Sequence, residues 1–99
     1  VNKAIEDIAA ERQRQIDKEG WTPAHDDTHN GGELAIAAAH YASFSALRPD
    51  LRATATDEDS VRFGWPFDVS WWKPTTPRRD LVKAAALIVA EIERLDRAM

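Results

Sequence analysis

Residues 76–99 read TPRRDLVKAAALIVAEIERLDRAM, and the fold turns on this stretch. Thr76 has a hydroxyl suited to accept from the free amides of a first helical turn, and Pro77 has its φ preset for the first helical position. Leu81, Ala85, Ile88, Ile92 and Leu95 then recur at alternating spacings of four and three, with Val82 and Val89 widening the stripe. That period belongs to a helix offering one apolar seam to another helix, as in a coiled coil. Such a helix needs helical partners.

Two more segments supply them. Asn30 and Glu33 have the spacing of a capping box, which starts a second helix near Asn30. ELAIAAAHYASFSAL follows (33–47), with Leu34, Ala37, Ala38, Tyr41, Ser45 and Arg48 on one stripe. Its many alanines let another helix come close, and Pro49 ends it. Asn2 to about Lys18 reads as a first helix, capped by Asn2 and stopped by Gly20. Ile5, Ile8, Ala9, Arg12 and Ile16 form its stripe, and its other face is dense with charge. Between these two helices, GWTPAHDDTHNGG (20–32) reads as a non-helical connection, long enough to suggest a functional loop. Residues 51–61 are weakly patterned. RFGWPFDVSWWKP (62–74) concentrates Phe63, Trp65, Phe67, Trp71 and Trp72, and Asp68 is placed to cap a short turn over Val69 to Trp72. The expected fold is therefore all-α: a bundle of three main helices with an aromatic loop or short helix, completed by oligomerisation.

Composition bounds the rest. At 99 residues the chain fits a single domain, 1–99, with a modest core that a partner subunit would help close. A formal charge of −4, from 13 basic and 17 acidic residues, argues against broad nucleic-acid binding. The absence of cysteine excludes disulfides, thiol chemistry and thiolate-bound zinc. The longest apolar run, Ala84 to Ala90, falls far short of a membrane span. The first residues read as a charged amphipathic helix and not as a signal peptide, so a cytoplasmic location is expected.

Candidate chemistry lies in carboxylates and in a basic cluster. His25, Asp26, Asp27 and His29 fall within five residues, but at no recognised zinc spacing. Turn and capping roles explain them as well as metal contact does. Glu33 enters the alanine stripe, Asp80 lies at the mouth of the last helix, and Glu11 or Glu19 could approach from the first. Converging carboxylates would suit Mg2+, particularly with substrate phosphates. The alternative is that Glu33 and Asp80 simply favour helix N-termini. Lys73, Arg78, Arg79 and Lys83 cluster around the start of the last helix and could answer phosphate. Trp65, Trp71 and Trp72 either close the core or flank a base.

The strings ERQRQIDKEGWTPAHDDTHNGGELAIAAAHYA (11–42), WPFDVSWWKP (65–74) and RRDLVKAAALIVAEIERLDR (78–97) resemble a family of small phage- and prophage-encoded proteins. A looser resemblance is to the all-α nucleoside triphosphate pyrophosphohydrolases of the MazG type. That resemblance implies a helical homo-oligomer, most simply a dimer, using Mg2+ to cut a nucleoside triphosphate to the monophosphate and pyrophosphate. It implies Glu33, Glu11 and Asp27 as catalytic residues, and the same three with Asp80 as metal ligands. Lys73, Arg79, Lys83 and Trp71 would hold the nucleotide. The chain departs from the family pattern at Ile36 and Lys83, which stand where partner carboxylates belong. A non-catalytic interaction or scaffold protein is the other reading.

Overall fold

The computed structural model describes residues 2–55, 59 and 64–99. The α-helices with described bounds are, in order, α1 (Lys3–Glu19), α2 (Pro23–Asp26), α3 (Glu33–Ser45), α4 (Pro49–Thr54) and α5 (Pro77–Ala98). A 3-10 turn spans Val69–Trp71, and the described residues contain no strand. The all-helical expectation therefore holds. Phe63 and residues 56–58 and 60–62 of the weakly patterned stretch lie outside the described residues.

The caps explain most of the boundaries. Asn2 Oδ1 accepts from the Ile5 amide at 3.0 Å, and Gly20 ends α1 at φ 75°, a region that disfavours a side chain. Thr76 Oγ1 accepts from the Arg79 amide at 3.1 Å, with Pro77 beginning α5. Asp68 Oδ1 accepts from Ser70, which fixes the 3-10 turn. Three boundaries differ from the sequence reading. α3 ends at Ser45, before Arg48, and Pro49, expected to end it, instead takes the first position of α4. The 20–32 connection contains a helical turn, α2, because Thr22 Oγ1 accepts from His25 and Pro23 presets the first position. The cap of α3 is Gly32, at φ 87°, and not Asn30. The expected capping box does not form: Glu33 is the first helical residue, and its carboxylate accepts from the Gly31 amide at 2.6 Å.

α3 and α5 share the most extensive interface, followed by α1 with α5. α3 brings Leu34, Ala37, Ala38 and Tyr41 to the core, matching its expected stripe, while α5 brings Ala84, Leu87 and Ala90. Alanines on both sides let the backbones approach closely. Trp21, Trp65 and Trp72 close this thin core, with ring centroids 4.9 Å apart for Trp65–Trp72 and 4.7 Å for Tyr41–Trp72. Edge-on arrangements dominate, as ring quadrupoles favour. The tryptophans are thus core material.

Two helices present unexpected faces. The seam that announces α5 points away from α3: Leu81, Ile88, Ile92 and Leu95 remain 50%, 48%, 52% and 48% exposed. The inner face instead uses smaller neighbours, since bulky side chains there would hold the two helices apart. On α1 the buried residues are Glu11, Arg12 and Gln15, while Ile5 stays half in water. Ion pairing accounts for this. Arg12 is nearly enclosed, and its three nitrogens reach Asp26 at 2.7 Å, the Trp21 carbonyl at 3.1 Å and Glu93 at 3.1 Å. One guanidinium thereby joins α1, α2 and α5. Burial pushes the Asp26 carboxyl above its ordinary range, and the Arg12 charge and hydrogen bond oppose the rise.

Replacing Arg12 by Met strips the buried Asp26 of its cation and should cost about 3–5 kcal/mol in urea unfolding. The double variant Arg12→Met/Asp26→Asn should recover part of the loss. A single-variant loss under about 1 kcal/mol would mean the pair does not hold the 20–32 segment in place.

Candidate functional site

The 3.6-residue period puts Glu11, Arg14 and Gln15 on one side of α1, with Glu19 a further turn along. They face Lys83 and Leu87 of α5, Tyr41 of α3 and Lys73 across a small cleft walled by Trp21, Trp65 and Trp71. At its centre is the buried Glu11 carboxylate. It accepts from Arg14 at 2.7 and 2.9 Å, from Gln15 at 3.3 Å and from Arg79. Glu19 pairs with Arg14 at 3.1 Å and with Lys73 at 3.6 Å. Lys73 lies over the Trp71 ring, 5.0 Å from its centroid, and its carbonyl accepts from the Lys83 ammonium. Tyr41 Oη donates to the Trp71 carbonyl at 3.3 Å and accepts from the Lys73 amide at 3.0 Å.

These contacts set the charge states. Burial alone would raise the Glu11 carboxyl, but the Arg14 hydrogen bonds and the Arg14 and Arg79 charges outweigh it and hold it below its ordinary value. Burial draws the Lys83 ammonium down, against the nearby Asp80 charge. Burial pushes the Tyr41 hydroxyl up to about 12, so it stays a phenol at neutral pH. Gln15 turns its amide nitrogen to Glu11, and its buried Oε1 has no partner among the described residues. Two carboxylates face four cations, Arg14, Lys73, Arg79 and Lys83, so the cleft suits an anion at its mouth better than a cation within it. Its volume is about 30 Å³. That is room for a water molecule or two, not a nucleobase. Wider open grooves, of about 740 and 600 Å³, flank α4 along Phe44, Leu47 and Trp72; none of the candidate carboxylates or basic residues lines them.

Several of those residues do meet. Glu11, Trp71, Lys73 and Lys83 line the cleft, and Arg79 joins through its bond to Glu11. The proposed metal ligands do not converge. Asp80 is fully buried and holds Arg52 at 2.9 Å and the Thr75 amide at 2.8 Å, bracing α4 and the approach to α5. Asp27 pairs with Arg97 at 2.7 Å. Glu33 is spent on the Gly31 amide and on His29 at 3.6 Å. Glu11 and Asp80 lie within the field of Lys83, and Asp27 and Glu33 within that of Arg94, each carboxylate taken up by its own donors. Among the described residues no group of three or more His, Asp or Glu is gathered to hold a metal ion. His25 and His29 meet edge to face, 4.9 Å between centroids, and His29 meets Phe67 at the same distance, so both histidines extend the aromatic mesh. Sequence reasoning missed Tyr41 as a lining residue; Gln15, on the polar face of α1, stands beside Glu11 through their i, i+4 relation.

Because the folded Glu11 pKa is depressed, its contribution to stability is present above its ordinary value of 4.5 and is lost as pH falls through the folded value. Glu11→Gln should therefore flatten the acid limb of a stability–pH profile measured by urea unfolding from about pH 6 downward. An unchanged acid limb would show that Glu11 is not held by its arginines.

Among the described residues no helix is long and apolar enough to cross a membrane. Comparison of the chain with protein-family models, with curated proteins and with solved structures finds no match. The function is therefore argued from this geometry.

Proposed function

We propose that the chain is a non-catalytic helical interaction protein, a scaffold whose working surface is the outward seam of α5. The observation that carries this reading is the half-exposure of Leu81, Ile88, Ile92 and Leu95 on one face of the longest helix. Fully burying such a side chain is worth roughly 1.5–3 kcal/mol, so each leaves on the order of 1 kcal/mol unrealised. A continuous apolar stripe of this kind marks a protein contact. The resemblance of the quoted strings to small phage and prophage proteins is in keeping with a scaffold role.

A Mg2+-dependent nucleoside triphosphate pyrophosphohydrolase is the second reading. The meeting of Glu11, Lys73, Arg79, Lys83 and Trp71 at one cleft favours it. The donor set fits a metal ion poorly: the Glu11 oxygens already serve two arginines, and cations outnumber carboxylates around the cleft.

Two measurements separate the readings. A photoreactive residue at Ile92 should form protein adducts in cells, while one at exposed Gln13 on α1 should form none. The purified chain should release no pyrophosphate from canonical or modified deoxynucleoside triphosphates with Mg2+. Absence of adducts at Ile92, or Mg2+-dependent pyrophosphate release that Glu11→Gln abolishes, would overturn the proposal.

A further inference from the structure

We propose that the Lys83 amine takes up carbon dioxide, forming a carbamate whose new carboxylate lies among Arg14, Arg79 and Lys73. The site is the cleft, and it is independent of the α5 seam.

Position comes first. Arg79, Lys83 and Leu87 recur at a spacing of four, which sets them on one face of α5, turned toward α1. Lys83 is only 9% exposed and lines the cleft. Its Nζ donates to the Lys73 carbonyl and lies 5.6 Å from the centroid of the Tyr41 ring.

Pairing then singles Lys83 out. Glu11 is taken up by Arg14 and Arg79, and Glu19 by Arg14 and Lys73. Lys83 has no ion pair among the described residues; a carbonyl and a ring are its partners. Burial draws its ammonium toward the neutral amine. The Arg79 and Arg14 charges push the same way, while Asp80 and Glu11 oppose them. A neutral amine is a nucleophile and an ammonium is not. The other three cations are unsuited to the part: two are guanidiniums, and Lys73 is half exposed and paired with Glu19.

Charge supplies the driving force. Four cations face two carboxylates across the cleft, an excess of two positive charges. Converting the Lys83 ammonium to a carbamate replaces one positive charge by one negative and cancels that excess. A guanidinium carries five N–H donors, so Arg14 and Arg79 can serve a further carboxylate beside Glu11.

Size selects the reagent. A volume of about 30 Å³ admits a triatomic molecule and little more. An acyl thioester or a nucleotide is too large to bring its reactive carbon to this amine. Carbon dioxide is small and uncharged, and its addition expels no leaving group. The Nζ lone pair forms the N–C bond, one C–O π bond opens with its electrons left on oxygen, and the nitrogen gives up a proton to water. The N–H that remains keeps its bond to the Lys73 carbonyl. Tyr41 does not compete: its hydroxyl is pushed up to about 12 and is engaged with the Trp71 carbonyl and the Lys73 amide.

The experiment equilibrates the purified chain with isotope-labelled bicarbonate at mildly alkaline pH. Carbamate is read by carbon NMR, and triethyloxonium then traps it as the ethyl ester for peptide mass mapping. The ester should map to Lys83 and be absent from the exposed Lys3 and Lys18. Lys83→Arg, which keeps the charge, should lose the Lys83 signal. Glu19→Gln removes a negative charge from the cleft and should raise the fraction of Lys83 modified by roughly two- to fivefold at equal carbon dioxide. Mere loosening of the structure would instead expose the amine, restore its proton and lower that fraction. An ester found only at other amines would overturn the proposal, and so would no ester at all. A fraction unchanged or lowered in Glu19→Gln would overturn the placement of the carbamate among the cleft cations.

Discussion

The close approach of α3 and α5 constrains the rest of the molecule. Ala37 and Ala38 on one helix and Ala84 and Ala90 on the other are all buried in the core, and their small side chains suit a close approach of the two helices. An interface of this kind has little volume, so the core cannot be thick. Leu34 and Leu87 supply its aliphatic bulk, and the aromatic residues must roof what the alanines leave open. The 64–74 stretch and Trp21 do so from separate parts of the chain, meeting through Phe67. The same geometry turns the large residues of α5 outward, because one helix cannot present both its bulkiest and its flattest face to α3.

α1 joins this assembly by a different kind of force. Its inward residues are a glutamate, an arginine and a glutamine, and its attachment to α5 runs through charge pairs: Asp7 with Arg78, Glu11 with Arg79, Arg12 with Glu93. Glu11 and Arg12 are the buried ends of these pairs, and their desolvation is repaid only when each charge is matched. A seam of leucines tolerates sliding; a buried arginine with three named acceptors does not. The polar face therefore fixes where α1 sits, while apolar area holds α3 and α5 together.

The parts legible in the sequence were those governed by local chemistry. The Asn2 and Thr76 caps, the stop at Gly20, the turn at Asp68 and the stripe of α3 are each set by residues within a few positions of one another. What the sequence could not carry were choices between two faces of one helix. α5 has apolar residues on both sides, and periodicity finds the stronger seam without saying that α3 will take the weaker. α1 has an isoleucine stripe and a polar stripe, and only the positions of Asp26, Glu93 and Arg79, distant in the chain, draw the polar one inward. Carboxylates were hardest to place. Asp80 reads as a helix-start acid or as a ligand, and its tie to Arg52 depends on how α4 folds back. Glu11 sits beside Lys83 and Arg79, and its closest companion, Arg14, adds a further cation to a cleft in which cations outnumber carboxylates.

The aromatic mesh has an optical consequence. All four tryptophans belong to it: Trp21 contacts Trp71 at 5.8 Å, Trp65 contacts Trp72 at 4.9 Å, and Phe67 links the two pairs. Indole emission therefore senses one end of the molecule as a unit, and the outward seam of α5 contains no fluorophore. Fluorescence follows the loosening of the roof but is blind to events on the far face of α5. A probe of that face has to be introduced there.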